Sequence, residues 1–359
     1  MSTRWVLHLC GKLSVGGVQA VLMNYYKYID KDKIQFAFAV QRDYSYEYDE
    51  IIKNMGGRIH YLPDMRYNPR EYEKELKKLL GAHPEYQIVQ AHFNFKNWKM
   101  LQIAKKMGVK NRISHAHAAN KKERLTTKIH LGLLARLINY YSTDRFSCSI
   151  ASGEYLYESD DFILIHNALE LDKFVYSNEI RKEYRSKLNL EDNETALCEI
   201  GHLNDCKNQL FTVELLSKLD DSYKLFLVGV GDEYKEKLIH RIQDLQLENR
   251  VFFLGVRDDV NKLMQAFDLM VFPSKHEGLS VVCMEAQASG LPVITSNQVP
   301  TEVAVTDLID FVSLESSDDW IDIIKKHKYV RRDTHLEMKD AGYDIKKEIK
   351  KLENIYLRY

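Results

Sequence analysis

The chain has 359 residues, 45% hydrophobic and 29% charged, the mixture of a globular protein long enough for about two domains. Lysine plus arginine number 51 against 52 acidic residues, which excludes the global basic excess of a nucleic-acid binder. Sixteen glycines and six prolines exclude collagen-like and low-complexity chains. The five cysteines, Cys10, Cys148, Cys198, Cys206 and Cys283, include no C-x-x-C pair. They read as reduced thiols in a cytoplasmic protein, with no zinc site or disulfide framework. The apolar run 5–10, soon followed by Lys12, is too short and polar for a signal peptide. No stretch reaches the ~20 apolar residues of a membrane span.

Short apolar runs bounded by turn residues predict buried strands, and longer 3.6-period stretches predict helices. In chain order, strands are predicted at 6–10, 36–40, 59–62, 88–92, 112–117, 146–150 and 162–165. Helices at 18–28, 46–55, 71–80 and 98–107 lie between them. The second half repeats the rhythm, with strands at 196–200, 225–228, 251–254, 269–272 and 293–295. Its helices are predicted at 210–218, 234–245, 260–266 and 281–289, and a polar helical tail follows 311–314. Such alternation predicts an α/β protein of two doubly wound parallel sheets facing each other across a cleft. The expected domains are 1–166 and 167–335, with a C-terminal helix in 336–359 packing back on the first.

The halves differ in charge. Residues 1–168 carry 25 basic and 17 acidic residues, and residues 169–359 carry 26 and 35. The basic excess concentrates in 121–145, with Lys121, Lys122, Arg124, Lys128, Arg136 and Arg145 among leucines and isoleucines. That pattern fits either a basic amphipathic helix at an anionic membrane surface or an ordinary solvated helix.

Ligands of open parallel sheets bind at the carboxyl ends of strands, so the loops there carry the candidates. The loop after the first strand, 11–17, holds Gly16 and Gly17, which fit either a flexible turn or a backbone approach to phosphate. It is neither a Walker loop nor G-x-G-x-x-G. His115 and His117 alternate at the end of a strand and so share a face. They fit a structural pair, a hydroxyl donor, or metal ligands lacking a local third partner. His202 and Lys207 lie between a strand and a helix, where a lysine is well aimed at a diphosphate, although taken alone Lys207 fits a solvated surface lysine better. In the run 273–286, Glu277 precedes a helix and Glu285 lies about two turns along it. The N–H groups of Leu279, Ser280 and Val281 are expected unpaired at the helix start, where they can hold phosphate, and Gly278, Leu279 and Ser280 are candidate binding residues. Glu285 stands among apolar residues, where a carboxylate usually has a hydrogen-bonding partner.

The set Glu277-Gly278 to Glu285, followed by Ala288-Ser289-Gly290-Leu291-Pro292-Val293-Ile294, resembles the E-x7-E signature of retaining glycosyltransferases of the GT-B fold, called group 1 or family 4. Gly16-Gly17, Leu227-Val228-Gly229-Val230-Gly231, 251–255 and Leu164-Ile165-His166-Asn167-Ala168 match its other segments in order. The resemblance implies two Rossmann-like domains, an N-terminal one for the acceptor and a C-terminal one for the nucleotide-sugar. It implies a hexosyltransferase using a nucleoside-diphosphate-sugar, with UDP-sugar favoured, without metal. It implies that Glu277 binds donor-sugar hydroxyls, Glu285 the ribose, and Lys207 the diphosphate. Gly17 brings its amide to the diphosphate, and His117 (or His115) contacts the sugar. The base lies near Val256 and Arg257, and His202 stands where the family has arginine.

The expected acceptor is a glycan or polyprenyl-diphosphate-linked glycan of bacterial capsule, exopolysaccharide or O-antigen. The protein is expected at the inner face of the membrane, with 121–145 as the stretch that suits an anionic lipid surface. Asp30-Lys31-Asp32, the single D-x-D, is expected in a turn away from the site. A dehydrogenase is excluded because Tyr234 stands where G-x-G-x-x-G needs its third glycine. A sugar-nucleotide epimerase and a non-catalytic sugar-nucleotide-binding protein remain as alternatives.

Overall fold

The computed structural model describes residues 3–11, 17–41, 48–117, 125–327 and 330–359. It divides into two units, 1–169 with 342–359, and 170–341. Sequence boundaries at 166 and 335 fall short of these points. Leu169 N donates to Tyr343 O at 2.8 Å, and Ile345 N donates to Leu169 O at 3.0 Å. The two segments are thus joined as a parallel bridge, Leu169 opposite Asp344, which apolar patterning does not reveal.

The first unit holds β1 (Arg4–Cys10), β2 (Ile34–Gln41), β3 (Arg58–Leu62), β4 (Ile88–Ala91), β5 (Asn111–Ala116), β6 (Asp144–Ser147) and β7 (Ile163–Leu164). Their order is β3-β2-β1-β4-β5-β6-β7, and every pair is parallel. The second unit holds β8 (Thr195–Ile200), β9 (Tyr223–Val228), β10 (Val251–Gly255), β11 (Leu269–Phe272), β12 (Val293–Ser296) and β13 (Ile309–Val312). Their order, β10-β9-β8-β11-β12-β13, is again all parallel. Helices on both faces explain the continuous apolar runs: Val6–Cys10 in β1 and all of β11 are buried.

Several predicted elements move. The strand expected at 146–150 ends at Ser147, because Ser149 caps the helix Ile150–Tyr157, its side chain accepting from Ser152 N. The helix expected from 46 is Asp49–Asn54, and residues 42–47 lie outside the described ones. The basic helix expected over 121–145 is Leu125–Tyr141. Lys121, Lys122 and Arg124 lie outside the described residues, and Arg145 sits in β6, paired with Asp161. Besides Thr127 and His130, that helix exposes four large apolar residues, Ile129, Leu133, Leu137 and Tyr140. Their spacing of four, four and three places them on one stripe, with Lys128 and Arg136 also exposed. No helix among the described residues is long and apolar enough to cross a membrane. Asp30 is held by Lys33 at 2.6 Å in the turn before β2.

The glycines after β9 serve a close approach. A Cβ on Gly229 would lie 1.9 Å from Gly201 O, and its φ is +142°. A Cβ on Gly231 would lie 2.0 Å from Leu203 O. Replacing Gly229 by alanine is expected to destabilise the second unit by about 2–4 kcal/mol, through clash plus backbone strain. The check is the midpoint of chemical denaturation.

Candidate active site

In the second unit the strand order reverses between β8 and β11, so the loops leaving those strands lie side by side. The loop 201–208 follows β8, and 273–280 follows β11 and leads into the helix Val281–Ala288. Lys275 N donates to Cys206 O at 2.8 Å, and Ser274 Oγ lies 3.0 Å from the same oxygen. Asn208 Nδ2 donates to Pro273 O at 3.3 Å.

This stitching brings Lys207 and Glu277 together, 70 positions apart in the chain. Lys207 Nζ lies 2.5 Å from Glu277 Oε1, both side chains largely buried. Ser274 Oγ donates to the same carboxylate oxygen at 2.6 Å. The ammonium also stands 4.5 Å from the centroid of the Phe272 ring, a cation–π placement. The ion pair, the hydroxyl and the ring fix where the charge of Lys207 resides.

Glu285 departs from the sequence expectation. Its carboxylate has no hydrogen-bond or ion-pair partner among the described residues, although its neighbours Cys283, Met284 and Ala286 are buried. Crowding by protein pushes its pKa up to about 7, because desolvation penalises the charged form. A carboxylate placed this way has unused acceptor capacity that a pair of hydroxyls can fill.

Gly278 is partly exposed, while Leu279 and Ser280 are buried. The first N–H groups of the following helix are free of intrahelical bonds. His202 is exposed; its carbonyl accepts from Gln209 Nε2 at 3.1 Å. Val256 is 64% exposed. Arg257 is bonded twice to Asp259, at 2.8 and 2.7 Å. Both follow the edge strand β10, two strands away from β8.

Sequence reasoning missed Glu199. It is buried inside β8 and accepts from Thr212 Oγ1 at 2.7 Å, while its other oxygen is unpartnered. Burial pushes its pKa up to about 8, with nearby Lys207 opposing. An acidic residue within the apolar run 196–200 was the available signal.

In the first unit Gly17 opens the helix Gly17–Tyr28; Gly16 lies outside the described residues. His117 follows β5 and keeps an exposed edge, whereas His115 is buried. The third histidine absent from the local sequence comes from the neighbouring strand. His92, His115 and His117 bring ring nitrogens within 4.8 Å of one another. His92 Nδ1 and His117 Nε2 stand 2.8 Å apart, a hydrogen bond. Two nitrogens sharing one tetrahedral zinc would stand at ~3.3 Å, given Zn–N distances near 2.0 Å. His8 completes the row, its Nδ1 3.1 Å from His92 Nε2. Burial holds all four imidazoles far below their ordinary pKa, His8 and His117 at about 3.

Residues 180–344 match the family described as glycosyl transferases group 1. The chain is 29% identical over 372 residues to EpsF of Bacillus subtilis (strain 168), named as a glycosyltransferase, covering 99% of this chain and 97% of that one. It is 23% identical to the capsular polysaccharide biosynthesis glycosyltransferase CapH of Staphylococcus aureus, covering 98% of each. Its fold matches Anabaena HepE, solved in complex with UDP and glucose, with TM-score 0.79 and 17% identity over 99% of this chain and all of the other. The two Rossmann-like units are those of the GT-B glycosyltransferase fold.

Proposed function

We propose that the chain, whose residues 180–344 match the group 1 glycosyltransferases, moves a hexosyl group, with retention, from a UDP-sugar to a glycan or polyprenyl-diphosphate-linked acceptor in bacterial surface-polysaccharide synthesis. The observation that carries this reading is Glu285. It is a crowded carboxylate without a partner among the described residues, on the helix whose leading loop carries Glu277, the ion-pair partner of Lys207. It accepts the two ribose hydroxyls. Lys207 and the N–H groups of Gly278, Leu279 and Ser280 hold the diphosphate, with Gly16 and Gly17 adding backbone donors. Glu277 accepts from donor-sugar hydroxyls, and His117 donates to the sugar. His202 flanks the diphosphate, and the base lies against Val256 and Arg257.

The bond from the anomeric carbon to the diphosphate oxygen breaks, and the acceptor oxygen bonds to that carbon on the same face. The acceptor proton passes to the departing phosphate. Charge developing on the diphosphate is met by Lys207 and the helix start, so the reading calls for no metal. HepE's complex with UDP and glucose supports a UDP-sugar donor, and the name of CapH supports a surface polysaccharide. Proton NMR of the product formed from an α-linked UDP-sugar tests the stereochemistry. An α-glycoside is expected, and a β-glycoside contradicts the reading.

The acceptor assignment places the protein peripherally at the inner face of the membrane. The stripe Ile129, Leu133, Leu137 and Tyr140, with Lys128 and Arg136 exposed on the same helix, supports that placement. Replacing Ile129 and Leu133 together by serine is expected to weaken sedimentation with anionic vesicles about tenfold or more. Donor hydrolysis should stay intact. Equal sedimentation of variant and parent contradicts this surface.

A further inference from the structure

We propose that Asn94 is a positioning residue for His117: its side-chain oxygen, aimed by a left-handed backbone, holds the His117 main chain and so fixes where that imidazole stands. The strand order of the first unit's sheet reverses between β1 and β4, and ligands of open parallel sheets bind outside such a point. Asn94 opens the single 3₁₀ turn Asn94–Lys96, just past the end of β4. His117 is the first residue past the end of β5, the strand beside β4. The two residues therefore meet at the ligand end of this sheet.

The turn is anchored without the side chain of Asn94. Asn97, fully buried at the start of the helix Asn97–Lys106, accepts from Phe93 N through Oδ1 at 2.7 Å. Its Nδ2 donates to Ser114 Oγ at 2.8 Å, which ties the turn to β5. The side chain of Asn94 reaches further along the same strand. His117 N donates to Asn94 Oδ1 at 3.2 Å. The backbone of Asn94 stands at φ +49°, a region that glycine enters freely and L side chains enter at a cost. A turn that asked only for this backbone would be served better by glycine. Asparagine tolerates the region better than most residues and brings an acceptor oxygen with it.

His117 is thereby held at two points. Asn94 takes its main-chain N–H, and His92 Nδ1 lies 2.8 Å from its Nε2. Its ring centroid stands 4.1 Å from that of buried His115. A ring held only by its neighbours can shift with the main chain that carries it. Fixing the main chain as well sets both the position and the direction of the imidazole. Asn94 itself acts only through His117. The consequence for sugar transfer rests on the contact between His117 and the donor sugar proposed above; the placement of His117 does not.

Asn94→Gly keeps the backbone conformation and deletes the acceptor. Amide hydrogen exchange at His117, read in the histidine-labelled full chain without nucleotide, should accelerate about tenfold, the weight of one hydrogen bond. The kcat for transfer from a UDP-sugar should fall about tenfold or more, because a contacting group loses its orientation. The donor KM should change by less than about threefold, since Lys207 and Glu285 are untouched. Asn94→Asp keeps an acceptor oxygen and tolerates the same backbone, so it should restore the slow exchange and most of kcat.

A role in turn formation alone gives a different pattern, with Asn94→Gly equal to the wild type in exchange and in kcat. That result overturns the proposal. So does a loss of kcat that Asn94→Asp fails to restore. Failure of the donor reading would appear separately, as absent nucleotide-sugar binding by the wild type. Exchange at His117 then decides the placement by itself: acceleration in Asn94→Gly upholds it, and an unchanged rate overturns it.

Discussion

Replacing Lys207 by alanine should lower the turnover number for sugar transfer about a hundred- to a thousandfold. Its ammonium is proposed to meet charge that develops only as the diphosphate departs, and removing one such preorganised group costs about 2.7–4 kcal/mol in kcat. In the resting protein that ammonium is held 2.5 Å from Glu277, so the substitution also leaves Glu277 with the hydroxyl of Ser274 alone. The fold should tolerate the loss. Glu277 is near the mouth of two loops that keep their other cross-links, Lys275 N to Cys206 O and Asn208 to Pro273 O. Lys207→Arg should not restore full rate, because a planar fork replaces a point charge that stands over the Phe272 ring. Steady-state kinetics separate the outcomes. A fall in kcat with a smaller change in KM is expected. A rise in KM alone would mean that Lys207 serves ground-state binding only.

The second large effect concerns Glu285 and pH. A carboxyl with a pKa of about 7 is mostly neutral at pH 6 and mostly ionised at pH 8. The ionised form offers acceptors only, which two ribose hydroxyls require. Affinity for a UDP-sugar should therefore rise with pH, about tenfold between pH 6 and 8. A UDP-sugar is the right probe, because free UDP has a terminal phosphate that titrates in the same range, near about pH 6. Glu285→Gln should bind weakly at both pH values and lose this rise. The same raised pKa acts on stability with the opposite sense. The folded protein holds a proton there that the unfolded chain releases near pH 4.5. This residue's contribution is therefore favourable at low pH and fades as pH climbs through 7. Tighter binding and lower intrinsic stability should appear together across that window.

Much of the architecture was written in local patterning. Strands such as 225–228 and 269–272 are legible because a parallel sheet covered on both faces demands uninterrupted apolar residues. Glu277 and Glu285 are legible because one short run contains both. What local patterning cannot carry is pairing across the chain. The ion pair between Lys207 and Glu277 spans 70 positions, and the His8 to His92 contact spans 84. The third imidazole beside His115 and His117 was invisible for the same reason, coming from the end of β4. Arg145, read with the basic stretch 121–145, belongs to the strand after the helix, where it pairs with Asp161. The domain division at 169 and 341 depends on backbone hydrogen bonds between remote segments, which no side-chain pattern encodes. The missing partner of Glu285 is a property of packing, so only coordinates could reveal a carboxylate left open for a ligand.

The most direct test is calorimetric titration with a panel of nucleotide sugars, with wild type beside Glu285→Ala and hydrolysis followed in the same samples. One UDP-sugar should bind and be slowly hydrolysed by the wild type. Alanine should weaken its binding about a hundredfold, the loss of two charge-assisted hydrogen bonds at ~1.5 kcal/mol each. Equal binding by both proteins, or no binding of any nucleotide sugar, would contradict the assignment of this site.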